Sequence, residues 1–241
     1  MQLVTSLIFT ISILFSQSCK VQQDQTSSTS SMDKKEQTSP IPSSNKKTYP
    51  VGEYTEKHNL GGYSQAIFAG GCFWCTEAAF ERINGVVDVI SGYSGGHKDY
   101  PTYSGVGAGN TGHTEAIYIY YDAKVISYDK LLDVFFVAHD PTTLNRQGPD
   151  VGEEYRSALY FQTDKEHDII DSKIKALNSS DKLPGKIVTE VAKYKEFWVA
   201  EGYHQNYYEL NPNQGYVAKV SRPKVVKVVK TFPELVKAQY K

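Results

Sequence analysis

SQAIFAGGCFWC, Ser64 to Cys75, is the stretch on which the reading of this chain turns. Ser64–Ala69 is a short apolar run closed by the Gly70-Gly71 pair, the pattern of a buried strand ended by turn residues. From Phe73 to Arg82 apolar residues recur at helical spacing (Phe73, Ala78 or Ala79, Phe80, Ile83), and Asn84-Gly85 stops the helix. A strand thus runs into two glycines, and a helix opens at a cysteine. Glycines at such a junction let the backbone turn sharply and approach a ligand closely. Cys72 faces the unpaired N–H groups and positive dipole end of the helix, which predicts a thiol pKa below the free value of about 8.5. Cys72 is the candidate nucleophile. Cys75, three residues on, shares its helical face, and unwinding of the first turn would bring it into disulfide range. A cysteine that becomes oxidised and a neighbour that resolves it make a redox cycle.

Outward from this junction, strand and helix signals interleave. Val86–Tyr93 is rich in β-branched residues and ends at Gly95-Gly96. Pro101–Gly112 reads as a glycine-rich loop, and Glu115–Tyr121 (EAIYIYY) as a strand closed by Asp122. Tyr128–Ala138 is an amphipathic helix capped by Ser127. Pro141–Gly152 reads as loop, Ser157–Phe161 as strand, Asp164–Leu177 as a charged amphipathic helix and Ile187–Val191 as a last clear strand. Trp198–Leu210 is aromatic-rich and mixed, and the Val-Lys alternation at Lys224–Lys230 suits a strand or a helical turn equally. Interleaved elements with short connections predict a two-layer α/β (α+β) sandwich over residues 54–241.

Upstream, the character changes. Leu3–Phe15 is apolar but too short to span a bilayer, which takes about 20 residues. Its length suits the core of a secretory signal, residues 1–19, and with Cys19 behind it the stretch resembles a bacterial lipoprotein signal with Cys19 as the acylation site. A buried N-terminal strand or helix with an incidental cysteine is the competing reading. Residues 20–53 are rich in Ser, Thr, Gln, Lys and Pro, have little to bury, and read as a disordered tether. The layout predicts an exported protein, anchored to a membrane as a lipoprotein or periplasmic. In 241 residues, 26 Lys and Arg nearly balance 27 Asp and Glu, which excludes nucleic-acid binding by bulk charge. Three cysteines make no disulfide framework.

Bland readings compete for the cysteine pair. C-x2-C can be half a zinc site, but the third cysteine lies in the leader and the six histidines contain no H-x3–5-H pair. Two buried structural thiols or a static disulfide also fit the spacing. Phe73 and Trp74 between the sulfurs weigh against both, because a large indole beside a tight turn is hard to hide unless it lines a pocket.

GCFWC after an apolar strand resembles the active-site motif of the A-type peptide methionine sulfoxide reductases. The match continues through Gly92-Tyr93, Pro101-Thr102-Tyr103, Gly112-His113-Thr114-Glu115-Ala116, His139-Asp140-Pro141, Arg146-Gln147-Gly148, Tyr155-Arg156-Ser157 and His204-Gln205-Asn206-Tyr207, over roughly Ser64 to Pro233. The resemblance implies a mixed sheet with a ferredoxin-like core and reduction of the S epimer of methionine sulfoxide, free or in proteins. It implies that Cys72 attacks the sulfoxide sulfur and Glu115 donates a proton to its oxygen. Burial in an apolar strand would keep that carboxyl protonated near neutrality. Tyr103 and Tyr155 match phenols that hydrogen-bond the same oxygen. Phe73 and Trp74 match the pocket for the substrate methyl group, and Asp150, Tyr207 and Tyr216 match residues that hold substrate. Asp150 serves equally as a loop cap beside Pro149 and Gly152. His113, His139 and His204 are assigned structural hydrogen bonds. Cys72 would become a sulfenic acid, Cys75 would close a Cys72–Cys75 disulfide, and a thioredoxin-type dithiol protein would reduce it, with no bound cofactor or metal.

Many members of that family carry a recycling cysteine after a C-terminal Gly-Tyr; here Gly215-Tyr216 is followed by Val217, and no cysteine occurs after Cys75. Recycling then rests on Cys75. A general thiol–disulfide oxidoreductase and a non-catalytic surface lipoprotein with a static disulfide are the alternative functions. A monomer is the default expectation.

Overall fold

The computed structural model describes residues 47–241. The signal reading, Cys19 and the tether as far as residue 46 lie outside the described residues. In chain order the elements are β1 (Tyr49–Pro50), α1 (Val51–Lys57), β2 (Ser64–Gly70), α2 (Phe73–Glu81), β3 (Val86–Ser94), α3 (Tyr103–Gly107), β4 (Thr114–Tyr121) and α4 (Tyr128–Ala138). There follow β5 (Arg146–Gln147), β6 (Asp150–Val151), β7 (Ser157–Phe161), α5 (Asp164–Asn178), β8 (Glu190–Lys193), β9 (Phe197–Val199), α6 (Tyr207–Leu210) and α7 (Arg222–Thr231).

Seven strands form one sheet in the order β1-β9-β3-β4-β2-β7-β8, and β5 and β6 form a separate ribbon. Every pairing in the large sheet is antiparallel except β7 with β8, so the sheet is mixed. The unit β2-α2-β3-β4-α4-β7 with strand order β3-β4-β2-β7 is the ferredoxin-like arrangement expected from the sequence.

Alternation along the central strands sorts side chains to two covered faces. Phe68, Ile117, Ile119 and Leu159 join Phe80, Leu131, Phe135 and Val228 in the larger core beneath α2, α4 and α7. Ile67, Ile90, Tyr118, Tyr120 and Tyr160 point the other way and meet Val51, Tyr54 and Leu60 around α1. Because both faces are covered, β4 is buried along its whole length. The cap of α4 is as expected: Ser127 Oγ accepts the Lys130 N–H at 3.2 Å.

Several boundaries differ from the sequence reading. Folded chain starts before Tyr54: β1 pairs with β9, and Thr48 and Val51 are buried. Pro101–Gly112 is not all loop, since Thr102 caps α3 by accepting the Gly105 N–H. Pro141–Gly152 contains the β5–β6 ribbon. The strand read at Ile187–Val191 is β8, which starts three residues later because its register is set by pairing with β7, and β9 follows it, running into the stretch left unassigned. The Val-Lys alternation is the helix α7, which buries Val225 and Val228 one turn apart. Among the described residues no helix is long and apolar enough to cross a membrane.

Candidate active site

β2 delivers the chain to the site and Gly71 turns it. Gly71 has φ +83°, and a Cβ there would stand 2.6 Å from the Gln147 side chain, so both conformation and space demand glycine. Cys72 follows as the N-cap of α2, in extended rather than helical backbone (φ −49°, ψ 120°), and its carbonyl accepts the Cys75 N–H at 3.1 Å. Both thiols are free and buried, and each acts on the other's proton. Cys72 already stands outside the helix, as its N-cap.

The helix N-terminus does not act on Cys72 as the sequence predicts. Its first N–H, from Phe73, donates to Glu115 Oε2 at 3.0 Å. Burial, with Cys75 and Glu115 close by, pushes the Cys72 thiol up from its ordinary value. The lowered thiol is Cys75, at about 7, chiefly because the Cys72 S–H donates to it, with help from Lys224 and the Ser221 hydroxyl. The coupled pair therefore gives up its first proton more readily than an isolated thiol does.

Glu115 behaves as the sequence predicts. It lies in β4 opposite Tyr93 of β3, is 2% exposed, and burial pushes its carboxyl up to about 8. The nearby charges of Asp150, Cys75 and Glu154 add to the rise, and the Phe73 N–H opposes it. At neutral pH it is an acid beside the Cys72 sulfur.

Around this buried floor stands a half-buried aromatic rim. Trp74 stacks on Tyr207 (3.9 Å between centroids, 14° between planes) and meets Tyr216 edge-on at 5.9 Å. Phe73 is fully buried, 6.4 Å from Tyr103. Tyr103 opens α3, and Tyr155 closes the 3-10 turn Glu153–Tyr155. Burial first, then the nearby Glu115 carboxyl, raises both phenols above their ordinary value, so they remain donors. Tyr216 donates to Asp150 Oδ2 at 2.5 Å and lies within hydrogen-bond reach of Cys72. All ten residues selected from the sequence (Cys72, Phe73, Trp74, Cys75, Tyr103, Glu115, Asp150, Tyr155, Tyr207 and Tyr216) thus gather at one place. Asp150 reaches the site through Tyr216 rather than as a loop cap.

Two of the three histidines are wholly structural. His113 accepts the Gly96 N–H and bonds Lys98 O; His139 bonds Phe135 O and Ser157 Oγ. His204 sits in the rim, 4.5 Å from the Tyr103 ring, and its Nδ1 accepts the Trp74 indole N–H at 3.2 Å. Burial lowers it to about 4, so it is a neutral acceptor that orients the indole.

Sequence reading missed Glu201, Ser221 and Lys224. Glu201 Oε1 accepts the Tyr103 N–H and its Oε2 accepts the Tyr93 hydroxyl, both at 2.9 Å, which ties α3 to the sheet. An acid directly after the apolar FWVA run was the available signal. Nothing local in the sequence marks Ser221 or Lys224. Among the described residues no group of three or more His, Cys, Asp or Glu could hold a metal ion.

Two facing thiols, a protonated buried carboxyl and an aromatic rim define a thiol-dependent reductase of small oxidised groups. Comparison with known proteins narrows the class. The family model "Peptide methionine sulfoxide reductase" matches residues 64–235. A peptide methionine sulfoxide reductase MsrA of Natronomonas pharaonis is 47% identical over 171 residues, covering 71% of this chain and 96% of that protein. One from Acinetobacter baumannii is 48% identical over 175 residues, covering 73% of this chain and 99% of that protein. Among solved structures, reduced Mxr1 from Saccharomyces cerevisiae is similar at a TM-score of 0.58 and 38% identity, over 65% of this chain and 90% of that one. Methionine sulfoxide reductase A of Corynebacterium diphtheriae gives 0.57 and 32%, over 63% of this chain and 76% of that one. The chain belongs to the peptide methionine sulfoxide reductase family, A type, and is an oxidoreductase of methionine sulfoxide.

Proposed function

We propose that the protein reduces the S epimer of methionine sulfoxide, free or within proteins, by the following cycle. Phe73 and Trp74 take the methyl group, with Tyr207, Tyr216 and Asp150 completing the substrate cradle. The one negative charge of the cysteine pair moves to Cys72 as its proton crosses the hydrogen bond to Cys75. Cys72 attacks the sulfoxide sulfur while Glu115 protonates the oxygen and Tyr103 and Tyr155 donate to it, so charge is neutralised as it develops. The oxygen is transferred, methionine leaves, and Cys72 is a sulfenic acid. Cys75 attacks that sulfur, the Cys72–Cys75 disulfide forms, and water leaves. A thioredoxin-type dithiol protein reduces the disulfide and is itself oxidised.

The observation that carries this reading is Glu115: a carboxyl held neutral by burial, bonded to the N–H next to the Cys72 sulfur. A static disulfide or a structural cysteine pair has no use for a protonated acid there. The deciding experiment is single turnover on each sulfoxide epimer without added reductant, followed by thiol counting. One methionine per chain and loss of two thiols are expected with the S epimer alone. Equal reaction of both epimers, or product without thiol loss, would defeat it.

Export is part of the same proposal. The apolar Leu3–Phe15, Cys19 and the polar stretch behind them support a lipid-anchored or periplasmic enzyme. Fractionation and labelling with a radioactive fatty acid test it: label lost in Cys19→Ser supports the anchor, and an unlabelled wild type in the cytosolic fraction ends it.

A further inference from the structure

Cys75 is held by more than its partner cysteine. The α2 helix packs against the segment Val217–Ser221, a π-helical turn, and against α7, which continues from it. Ser221, where the two join, places its Oγ 3.2 Å from Cys75 Sγ and is fully buried. Lys224 lies three residues on, on the same side of the helix. Its Nζ is buried and has no hydrogen-bond partner among the described residues. A buried amine without a partner is costly, so a group that answers it is expected within reach. Its charge acts on Cys75 and on His139, and His139 is neutral with both ring nitrogens engaged. The one group of the two that can carry negative charge is the Cys75 sulfur.

We infer that Lys224, with Ser221, is a positioning residue for the second half of the cycle: the pair holds Cys75 as a thiolate while Cys72 is a sulfenic acid. The inference rests on the cycle proposed above. In the resting protein the main group stabilising the Cys75 thiolate is the Cys72 S–H. Once oxygen has been transferred to Cys72, that S–H no longer exists. Lys224 and Ser221 are then the groups left that lower Cys75, against burial and the Asp150 carboxylate. Glu115 and Tyr216 also feel the Cys75 charge, and both are raised. With the Cys75 S–H ionised, its thiolate attacks Cys72 sulfur, the S–O bond breaks, and hydroxide takes up one proton to leave as water.

The size of the effect follows from opposing trends. Removing a nearby positive charge raises a thiol pKa by about one unit, which leaves about five- to tenfold less thiolate at pH 7. A more basic thiolate attacks about threefold faster, from a Brønsted slope of about 0.45. Disulfide closure in Lys224→Met is therefore expected about two- to fourfold slower at pH 7, with the deficit gone once pH exceeds its raised midpoint. The midpoint of its pH profile moves up by about one unit, and Lys224→Arg restores the wild-type profile.

The measurement is rapid-quench trapping of sulfenic acid and disulfide after one turnover, with methionine yield as the control. Wild type that releases no methionine refutes the cycle itself. If Lys224→Met releases methionine but closes the disulfide with an unshifted profile, or more slowly at every pH, the role of Lys224 is refuted and the cycle stands. Loss of methionine release in this variant also refutes the role. Should that variant not fold, Ser221→Ala decides: an upward shift of the same profile supports the cradle, and an unchanged profile overturns it.

Discussion

Two acids in one niche are tuned in opposite directions, and the pH profile should expose both. Glu115 must be protonated to donate, and its value of about 8 means that supply fails as pH rises through that point. Cys75 must be ionised to close the disulfide, and with the Cys72 S–H gone it titrates above its resting value of about 7, so closure slows as pH falls. Turnover is expected to peak near pH 8, with methionine release alone carrying the alkaline limb. Glu115→Gln keeps an oxygen for the Phe73 N–H but has no proton to give. Its methionine release is expected to fall by about 10²- to 10⁴-fold, with the limb near pH 8 gone; a rapid-quench pH series checks both. The same substitution should stabilise the protein at alkaline pH. A carboxyl whose folded-state pKa is raised contributes fully below its ordinary value near 4.5 and loses that contribution as pH rises towards 8. The gap corresponds to an upper figure of about 5 kcal/mol. Urea midpoints of Glu115→Gln should therefore pull ahead of wild type between pH 5 and 8.5, and parallel curves would show that Glu115 is not desolvated.

At the scale of elements, the strand-to-helix turn fixes where Cys72 points. Alanine at Gly71 would meet Gln147 and force a β-carbon onto positive φ. A loss of about 2–3 kcal/mol is expected in urea unfolding, with methionine release falling further than stability explains. The helix α3 makes a similar case. It has five residues, too few to stand alone, and it is held by Thr102 at its cap and Glu201 across the sheet edge. Glu201→Gln puts an amide N–H where the Tyr93 hydroxyl donates, and should cost about 1–3 kcal/mol and loosen Tyr103. These elements also show what the sequence made legible. The junction at Gly70–Phe73, the β4 strand and the cap at Ser127 are local patterns, and their residues were named correctly. The position of β8 was not, because register is set by β7 rather than by Ile187 and Val188. The protonation of Cys72 was not either: dipole and N-cap position are local, whereas burial and the capture of the Phe73 N–H by Glu115 come from strands far along the chain.

For the whole molecule, both sheet faces are covered, and the second face depends on the first residues described. Ile67, Tyr118 and Tyr120 would meet water without Val51, Tyr54 and Leu60 above them. Composition alone set the start of the folded region at Tyr54, since Lys46, Lys47 and Pro50 look like tether. Yet Tyr49 and Pro50 pair with Val199 and Trp198, and β9 in turn pairs with β3 along Gly92–Ser94. Removing residues before Tyr54 would bare the β9 edge, take away the buried Val51, and strip the first turn from the helix that carries Tyr54. Losing one buried valine costs about 1.5–3 kcal/mol, and the two-residue pairing adds to it. A chain beginning at Tyr54 is therefore expected to unfold about 2–4 kcal/mol more easily in urea than one beginning at Lys47. Tyr54 also donates to Asp88 on β3 at 2.9 Å, so weakening α1 should loosen β3 first. Amide exchange should then accelerate in Val86–Ile90 of the shortened chain, while the Cys72–Glu115 niche, on the other face of the sheet, still releases one methionine per turnover. Equal stability of the two chains would mean that β1 and Val51 are decoration on a domain that needs neither.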